Sequence, residues 1–145
     1  PLLGNTIGQV FDNISDKFCD REALVSVHQN IRFTYAELAI KVNELAKAFI
    51  SAGLKKGDRV GIWSSNNAEW LLTQYAAAKA GVILVTINPA YRSHELEYVL
   101  GQSGCKGLVF QNQFKTSDYE SMICEIMPEI KDALQGELKS GKFKN

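Results

Sequence analysis

The side chains with chemistry to offer gather in one short stretch. Asn88-Pro89-Ala90-Tyr91-Arg92 runs directly into Ser93-His94-Glu95, bringing together a guanidinium, a phenol, an imidazole, a hydroxyl and a carboxylate. The stretch follows the apolar run Val82 to Ile87, which reads as a buried strand, and ligands of open parallel sheets sit beyond the carboxyl ends of the strands. Arg92 and Tyr91 are thus placed to contact a ligand there. The competing reading pairs Arg92 with Glu95 and packs Tyr91 into the loop. His94 stands beside a helix start and reads as a solvated first-turn residue. Cys105, before a strand, reads as a small buried hydrophobe, because no neighbour is placed to depress its pKa. Trp63 and Trp70 flank a Ser-Asn loop, and large aromatics at a strand end and in a first helical turn usually fill core.

Several constellations are absent. No G-x-G-x-x-G run exists to bring backbone close to a pyrophosphate, and G-x-x-x-x-G-K-[ST], G-x-S-x-G and H-E-x-x-H are also missing. A dinucleotide-dependent dehydrogenase of the common kind is therefore disfavoured, and the chain alone shows no catalytic set. Lys plus Arg equals Asp plus Glu at 16 each, so no excess positive field exists to attract a phosphodiester backbone, and nucleic acid is not an expected partner. Cys19, Cys105 and Cys124 are odd in number and widely spaced, which argues against a disulfide framework and a zinc site and suits a reducing, cytoplasmic setting. The longest apolar stretch is far short of the ~20 residues that a membrane span needs. The first residues lack the pattern of a signal peptide.

The elements that must position these side chains follow from spacing. Ile7, Val10, Phe11, Ile14 and Phe18 predict an amphipathic helix over residues 6–18. Residues 23–27 and 31–34 read as a hairpin around His28-Gln29-Asn30. Thr34-Tyr35-Ala36-Glu37 is a capping box, and Leu38, Val42, Leu45, Ala46 and Phe49 form the buried stripe of the helix it opens, which Gly53 ends. A strand over residues 59–63, a helix over about residues 68–80 and the strand 82–87 follow, the last without alternation, as expected of a central strand covered on both faces. Ser93 is placed to cap the next helix; residues 108–110 are a strand, residues 111–116 a loop, and Ser117-Asp118-Tyr119-Glu120 a further capping box opening a helix that ends before Pro128. With 145 residues and 46% hydrophobic composition, one good core is within reach. The sum is an α/β fold: a three-layer, mostly parallel sheet flanked by helices, with an amino-terminal β-hairpin. Residues 1–128 read as one α/β subdomain and residues 129–145 as a linker or disordered tail. The chain starts at Pro1 rather than Met and stops without a closing element, as a piece of a longer protein would.

At Phe33-Thr34-Tyr35-Ala36-Glu37-Leu38, Gly57-Asp58-Arg59-Val60-Gly61-Ile62, Asn66-Asn67-Ala68-Glu69-Trp70 and Asn88-Pro89-Ala90-Tyr91-Arg92 the sequence resembles the adenylate-forming, AMP-binding acyl-CoA synthetases. Glu95-Leu96-Glu97-Tyr98-Val99-Leu100 and Gln113-Phe114-Lys115-Thr116 narrow the likeness to the branch of acyl-CoA synthetase family member 2, which activates medium-chain fatty acids. The resemblance covers nearly all of residues 6–145, in order.

It implies a two-step ligase that uses ATP, Mg2+ and CoA. A fatty-acid carboxylate attacks the α-phosphate of ATP to give acyl-adenylate and pyrophosphate, and the CoA thiol then displaces AMP. The family's phosphate loop, adenine motif, ribose-binding Asp and catalytic Lys would all lie beyond Asn145. The resemblance therefore implies a fragment inactive by itself, holding none of these ligands tightly and prone to associate through a face the rest of the enzyme covers. In relatives the loop matching Ile87-Asn88-Pro89 and the region near Lys115 approach the CoA nucleotide, so Asn88, Pro89 and Lys115 are the CoA-proximal candidates. Lys115 would meet a phosphate as a point charge; its alternative is an ordinary exposed lysine. The rival readings are a free-standing module that binds a nucleotide, CoA or a protein without catalysis, and a dehydrogenase-like domain with a degenerate phosphate turn.

Overall fold

The computed structural model describes residues 2–133. Along them run α1 (Ile7–Lys17), β1 (Glu22–Ser26), β2 (Ile31–Thr34), α2 (Tyr35–Ser51), β3 (Arg59–Trp63), α3 (Ala68–Ala80), β4 (Ile83–Ile87), α4 (Ser93–Ser103), β5 (Gly107–Phe110), β6 (Gln113–Phe114), β7 (Ser117–Asp118) and α5 (Tyr119–Ile126). They pack as two units, residues 2–57 with 66–84, and residues 58–65 with 85–133.

In the first unit, β1 and β2 form the expected antiparallel hairpin, its turn made by a 3-10 segment, Val27–Gln29, and by Asn30 at φ 53°. Gln29 then serves a second purpose. Its Oε1 accepts from the Ala68 N–H at 2.7 Å and its Nε2 donates to Glu69 at 2.7 Å, so the hairpin turn satisfies an orphan donor of α3. Asn67 caps the same helix through Trp70 N–H, and Gly81 at φ 73° ends it. The capping box at Thr34 forms as the sequence predicts, Glu37 reaching back to the Thr34 N–H at 2.8 Å. Leu38, Val42, Ala46 and Phe49 are buried along α2, and Gly53 follows its end at φ 90°.

The buried face of α1 is not the one its apolar spacing implies. Ile7 is 64% exposed, while Gly8, Phe11 and Ser15 point inward. The cause is the close approach of α3: a Cβ on Gly8 would stand 3.2 Å from Lys79 Cγ and 3.3 Å from Lys79 Cα, so α1 turns its smallest residue toward that neighbour. Phe11 then stacks on Tyr75 with ring centroids 4.4 Å apart, and with Leu38 and Val42 it anchors a core that Leu24, Phe33, Leu71 and Leu72 complete. Lys79 also pairs with Asp12.

In the second unit the sheet order is β4-β3-β5, with β3 and β5 parallel and Val60 opposite Gly107. The central strand is β3, whose residues 60–63 are all buried. The expectation that β4 is central does not hold among the described residues: it lies at the margin of the sheet, and Ile83 is 49% exposed. One side of the core comes from α4 and α5. Leu96, Leu100, Met122, Ile123 and Ile126 pack with Trp63 and Ile87.

Two helix starts differ by one residue from the sequence reading. At α4 the flanking residue is Arg92, whose N–H donates to Glu95 at 2.9 Å, and the Ser93 hydroxyl donates instead to Glu125 at 2.5 Å. At α5 the cap is Asp118, which accepts from Ser121 N–H at 3.0 Å, because Ser117 is taken into β7. The β6–β7 ribbon occupies part of what reads as plain loop. Beyond α5 a 3-10 turn spans Pro128–Lys131, and the remainder of the linker expected over 129–145 lies, from residue 134 on, outside the described residues. The class is α/β, with a parallel sheet flanked by helices and a hairpin preceding it. Among the described residues no helix is long and apolar enough to cross a membrane.

Candidate functional site

Three loops of the second unit leave from one edge of its sheet. Trp63, the last residue of β3, donates its indole N–H to Asn88 O at 3.1 Å, which sets the carboxyl end of β4 beside that of β3. Gln111, just past β5, accepts from the Ser64 hydroxyl at 3.0 Å and from Ser65 through both N–H (3.0 Å) and hydroxyl (2.8 Å). The loops after β3, β4 and β5 thus share the carboxyl edge where sheets of this kind take ligands.

The Asn88-Pro89 turn is held from below by an aromatic pair. Trp63 and Tyr119 are both fully buried and lie face to face, with centroids 3.5 Å apart and an interplanar angle of 3°. Trp63 takes the Asn88 carbonyl, and the Tyr119 hydroxyl donates to the Pro89 carbonyl at 2.5 Å. Burial pushes the Tyr119 phenol above its ordinary pKa, so it keeps the proton it donates. Asn88 is suited to its place: its Oδ1 accepts from Ala90 N–H at 2.9 Å and its O from Tyr91 N–H at 3.1 Å, closing the turn that Pro89 stiffens. The two carbonyls are therefore committed inward, while the Asn88 side chain is exposed.

The Arg92 guanidinium does not make the pairing with Glu95 that the sequence offered. It donates to the Ser117 hydroxyl at 3.0 Å, and Glu95 receives only the Arg92 backbone N–H. Tyr91 packs against the core, half-buried. Lys115 is exposed at the tip between β6 and β7, at φ 54°, with Nζ 5.4 Å from the Phe114 ring centroid. The Arg92–Ser117 and Tyr119–Pro89 bonds tie the ribbon carrying Lys115 to the loop carrying Asn88 and Pro89. No bond joins Lys115 itself to either of them among those seen.

His94 is exposed, as a first-turn residue should be. Burial raises the Cys105 thiol against the opposing pull of the Ser103 hydroxyl and Arg59, which leaves it an indifferent nucleophile. Ser26 Oγ lies 3.4 Å from His28 Nδ1 but donates to Gln29 at 2.7 Å, so this pair serves the hairpin turn. Trp63 is core, as expected; Trp70 is only half-buried. Among the described residues no group of three or more His, Cys, Asp and Glu is placed to hold a metal ion. Tyr119 and Gln111 are the organising residues that spacing does not single out. The signal available for Gln111 is its place directly after a strand, level with Ser64-Ser65 in a parallel register.

The sequence model of the AMP-binding enzyme family matches residues 11–142. The chain is 49% identical over 142 residues to the medium-chain acyl-CoA ligase ACSF2, mitochondrial, of Mus musculus, covering 98% of this chain and 23% of that ligase. A fatty acyl CoA synthetase of Mycobacterium tuberculosis shares the fold at a TM-score of 0.70 and 30% identity, over 72% of this chain and 21% of its own. The NpsA N-terminal subdomain of Klebsiella oxytoca matches at a TM-score of 0.69 and 30% identity, over 74% and 26%. The chain thus spans about a quarter of the length of these proteins.

Proposed function

Because the chain belongs to the AMP-binding enzyme family, we propose that it is the amino-terminal part of an AMP-forming acyl-CoA synthetase that activates a medium-chain fatty acid. The observation that carries this reading is 49% identity to a medium-chain acyl-CoA ligase sustained across 98% of the chain. In the reaction, a carboxylate oxygen bonds to the α-phosphorus of ATP as pyrophosphate leaves. The thiol sulfur of CoA then bonds to the acyl carbon as AMP leaves, and the thiol proton is lost.

The part played by this chain is scaffolding. Residues 1–128 supply part of the wall of the cleft and residues 129–145 lead on to the remainder. Among the described residues the acidic groups do not cluster as a Mg2+ site would require, so the ion that accompanies ATP is assigned no ligand among them. Asn88, Pro89 and Lys115 face the CoA nucleotide, with Pro89 shaping the turn, the Asn88 side chain outward and the Lys115 ammonium free to approach a phosphate. Three free cysteines suit a reducing compartment, the cytoplasm. The mouse relative is named mitochondrial, and fractionation of cells carrying the full-length protein separates the two locations.

The test compares two proteins. Given ATP, Mg2+, octanoate and CoA, the full-length protein should release AMP and form the thioester, whereas residues 1–145 alone should release none. Turnover by residues 1–145 alone, or none by the full-length protein with any fatty acid, would refute the reading.

A further inference from the structure

The two elements proposed to face CoA meet at one residue. Tyr119 N–H donates to Asn112 O at 3.0 Å, closing the excursion over residues 112–119 that carries Lys115. The hydroxyl of the same residue holds Pro89 O at 2.5 Å, and its ring lies flat against Trp63, which in turn holds Asn88 O. Backbone, ring and hydroxyl of Tyr119 therefore each fix a different part of the same edge. We propose that Tyr119 is a positioning residue for the thioester-forming step: it sets the Lys115 ribbon against the Asn88-Pro89 turn, so that CoA recognition depends on a hydroxyl that never touches CoA. This rests on the acyl-CoA synthetase reading above and deepens it by naming the residue that orders the CoA-facing side of the site.

A second tie runs in parallel. Arg92 donates to Ser117 at 3.0 Å, so losing the Tyr119 hydroxyl should loosen the arrangement without separating the two segments. The ring contributes independently to the core, where Tyr119 packs with Met122, Ile123 and Ile126. Removing only the oxygen isolates the positioning role from the packing role.

The experiment uses the full-length enzyme and the variant Tyr119→Phe. Pyrophosphate release from ATP and octanoate, measured without CoA, should match the wild type, while the KM for CoA in thioester formation should rise about three- to tenfold, the worth of one hydrogen bond. Lys115→Ala should also raise that KM, and the double variant should show less than the product of the two single effects, because both act through one arrangement. An unchanged CoA KM, an equal fall in both half-reactions, independent effects of the two substitutions, or loss of the cooperative melting transition in Tyr119→Phe would each assign Tyr119 to the core alone. A wild type that releases no pyrophosphate defeats the underlying reading and this inference with it. A competent wild type with an indifferent Tyr119→Phe defeats the inference only.

Discussion

Gln111 and Ser65 are joined twice: one amide oxygen accepts the Ser65 backbone N–H at 3.0 Å and its hydroxyl at 2.8 Å. The same oxygen takes the Ser64 hydroxyl, while Nε2 donates to Gln113 O at 2.6 Å. Two loops at the carboxyl edge of the sheet are thereby pinned by a single side chain. Gln111→Ala leaves the Ser65 donors without this acceptor, and the expected cost is about 1–3 kcal/mol. Gln111→Glu keeps the acceptor and sets a carboxylate against the Gln113 carbonyl, so it should fall between the two. Urea denaturation of the three proteins checks the order, and an Ala variant as stable as the wild type would contradict it.

Gly61, in the middle of β3, leaves no free room for a side chain. A Cβ there would lie 2.9 Å from Leu108 Cδ1 and 3.1 Å from Ile87 Cδ1, inside the range that must be relieved by movement. Both obstructing atoms are the ends of flexible side chains, and replacing glycine in a strand recovers roughly 0.5–1 kcal/mol of backbone entropy. Gly61→Ala should therefore change stability by less than about 1 kcal/mol, whereas Gly61→Val overpacks the site and should cost about 2 kcal/mol. Thermal melts of both variants decide the matter. A Val variant that melts with the wild type would show that the strands separate freely at this point.

Caps and glycine ends are legible in sequence because their partners lie within a few residues, as at Thr34 with Glu37, Asn67 with Trp70 and Gly81 after α3. The one-residue slips at α4 and α5 have the opposite origin. Adjacent polar residues compete for the cap, and distant partners settle the contest: Glu125 takes Ser93, and Arg92 takes Ser117. The exposed Ile7 and the marginal β4 likewise reflect neighbours, a helix approaching Gly8 in one case and the sheet order in the other, that no local periodicity encodes. The same holds for the candidate site. The Asn88–Arg92 loop can be found from the strand before it, but Tyr119 reaches Pro89 across 30 residues and Gln111 reaches Ser64 across 47.

Asp118 makes the start of α5 dependent on pH. Its carboxylate accepts both the N–H and the hydroxyl of Ser121, and these bonds hold its pKa below the usual carboxylate value. A depressed folded-state pKa means that the contribution is complete above the unfolded value and is lost as pH falls through the folded one. The stability gap between wild type and Asp118→Ala should therefore be open at neutral pH and should close on acidification below about pH 4. Asp118→Asn retains an accepting oxygen and should remove this dependence while keeping much of the cap. Denaturation midpoints at a series of pH values test the sign, and a gap that widens in acid would reverse it.

The three thiols should separate by reactivity. Cys19 is exposed, whereas Cys105 is half-buried and its thiol is raised, chiefly by burial, despite the lowering influence of Ser103 and Arg59. The thiolate is the reacting species, so a raised pKa displaces the labelling curve of Cys105 to higher pH and compounds its restricted access. With iodoacetamide at neutral pH, mass spectrometry of timed samples should find Cys19 modified first and Cys105 last. Ser103→Ala removes a hydroxyl that stands 3.1 Å from the sulfur and favours the charged form, and should move the Cys105 curve further upward. A downward move would mean that the hydroxyl stabilises the neutral thiol, and that burial alone does not govern this residue.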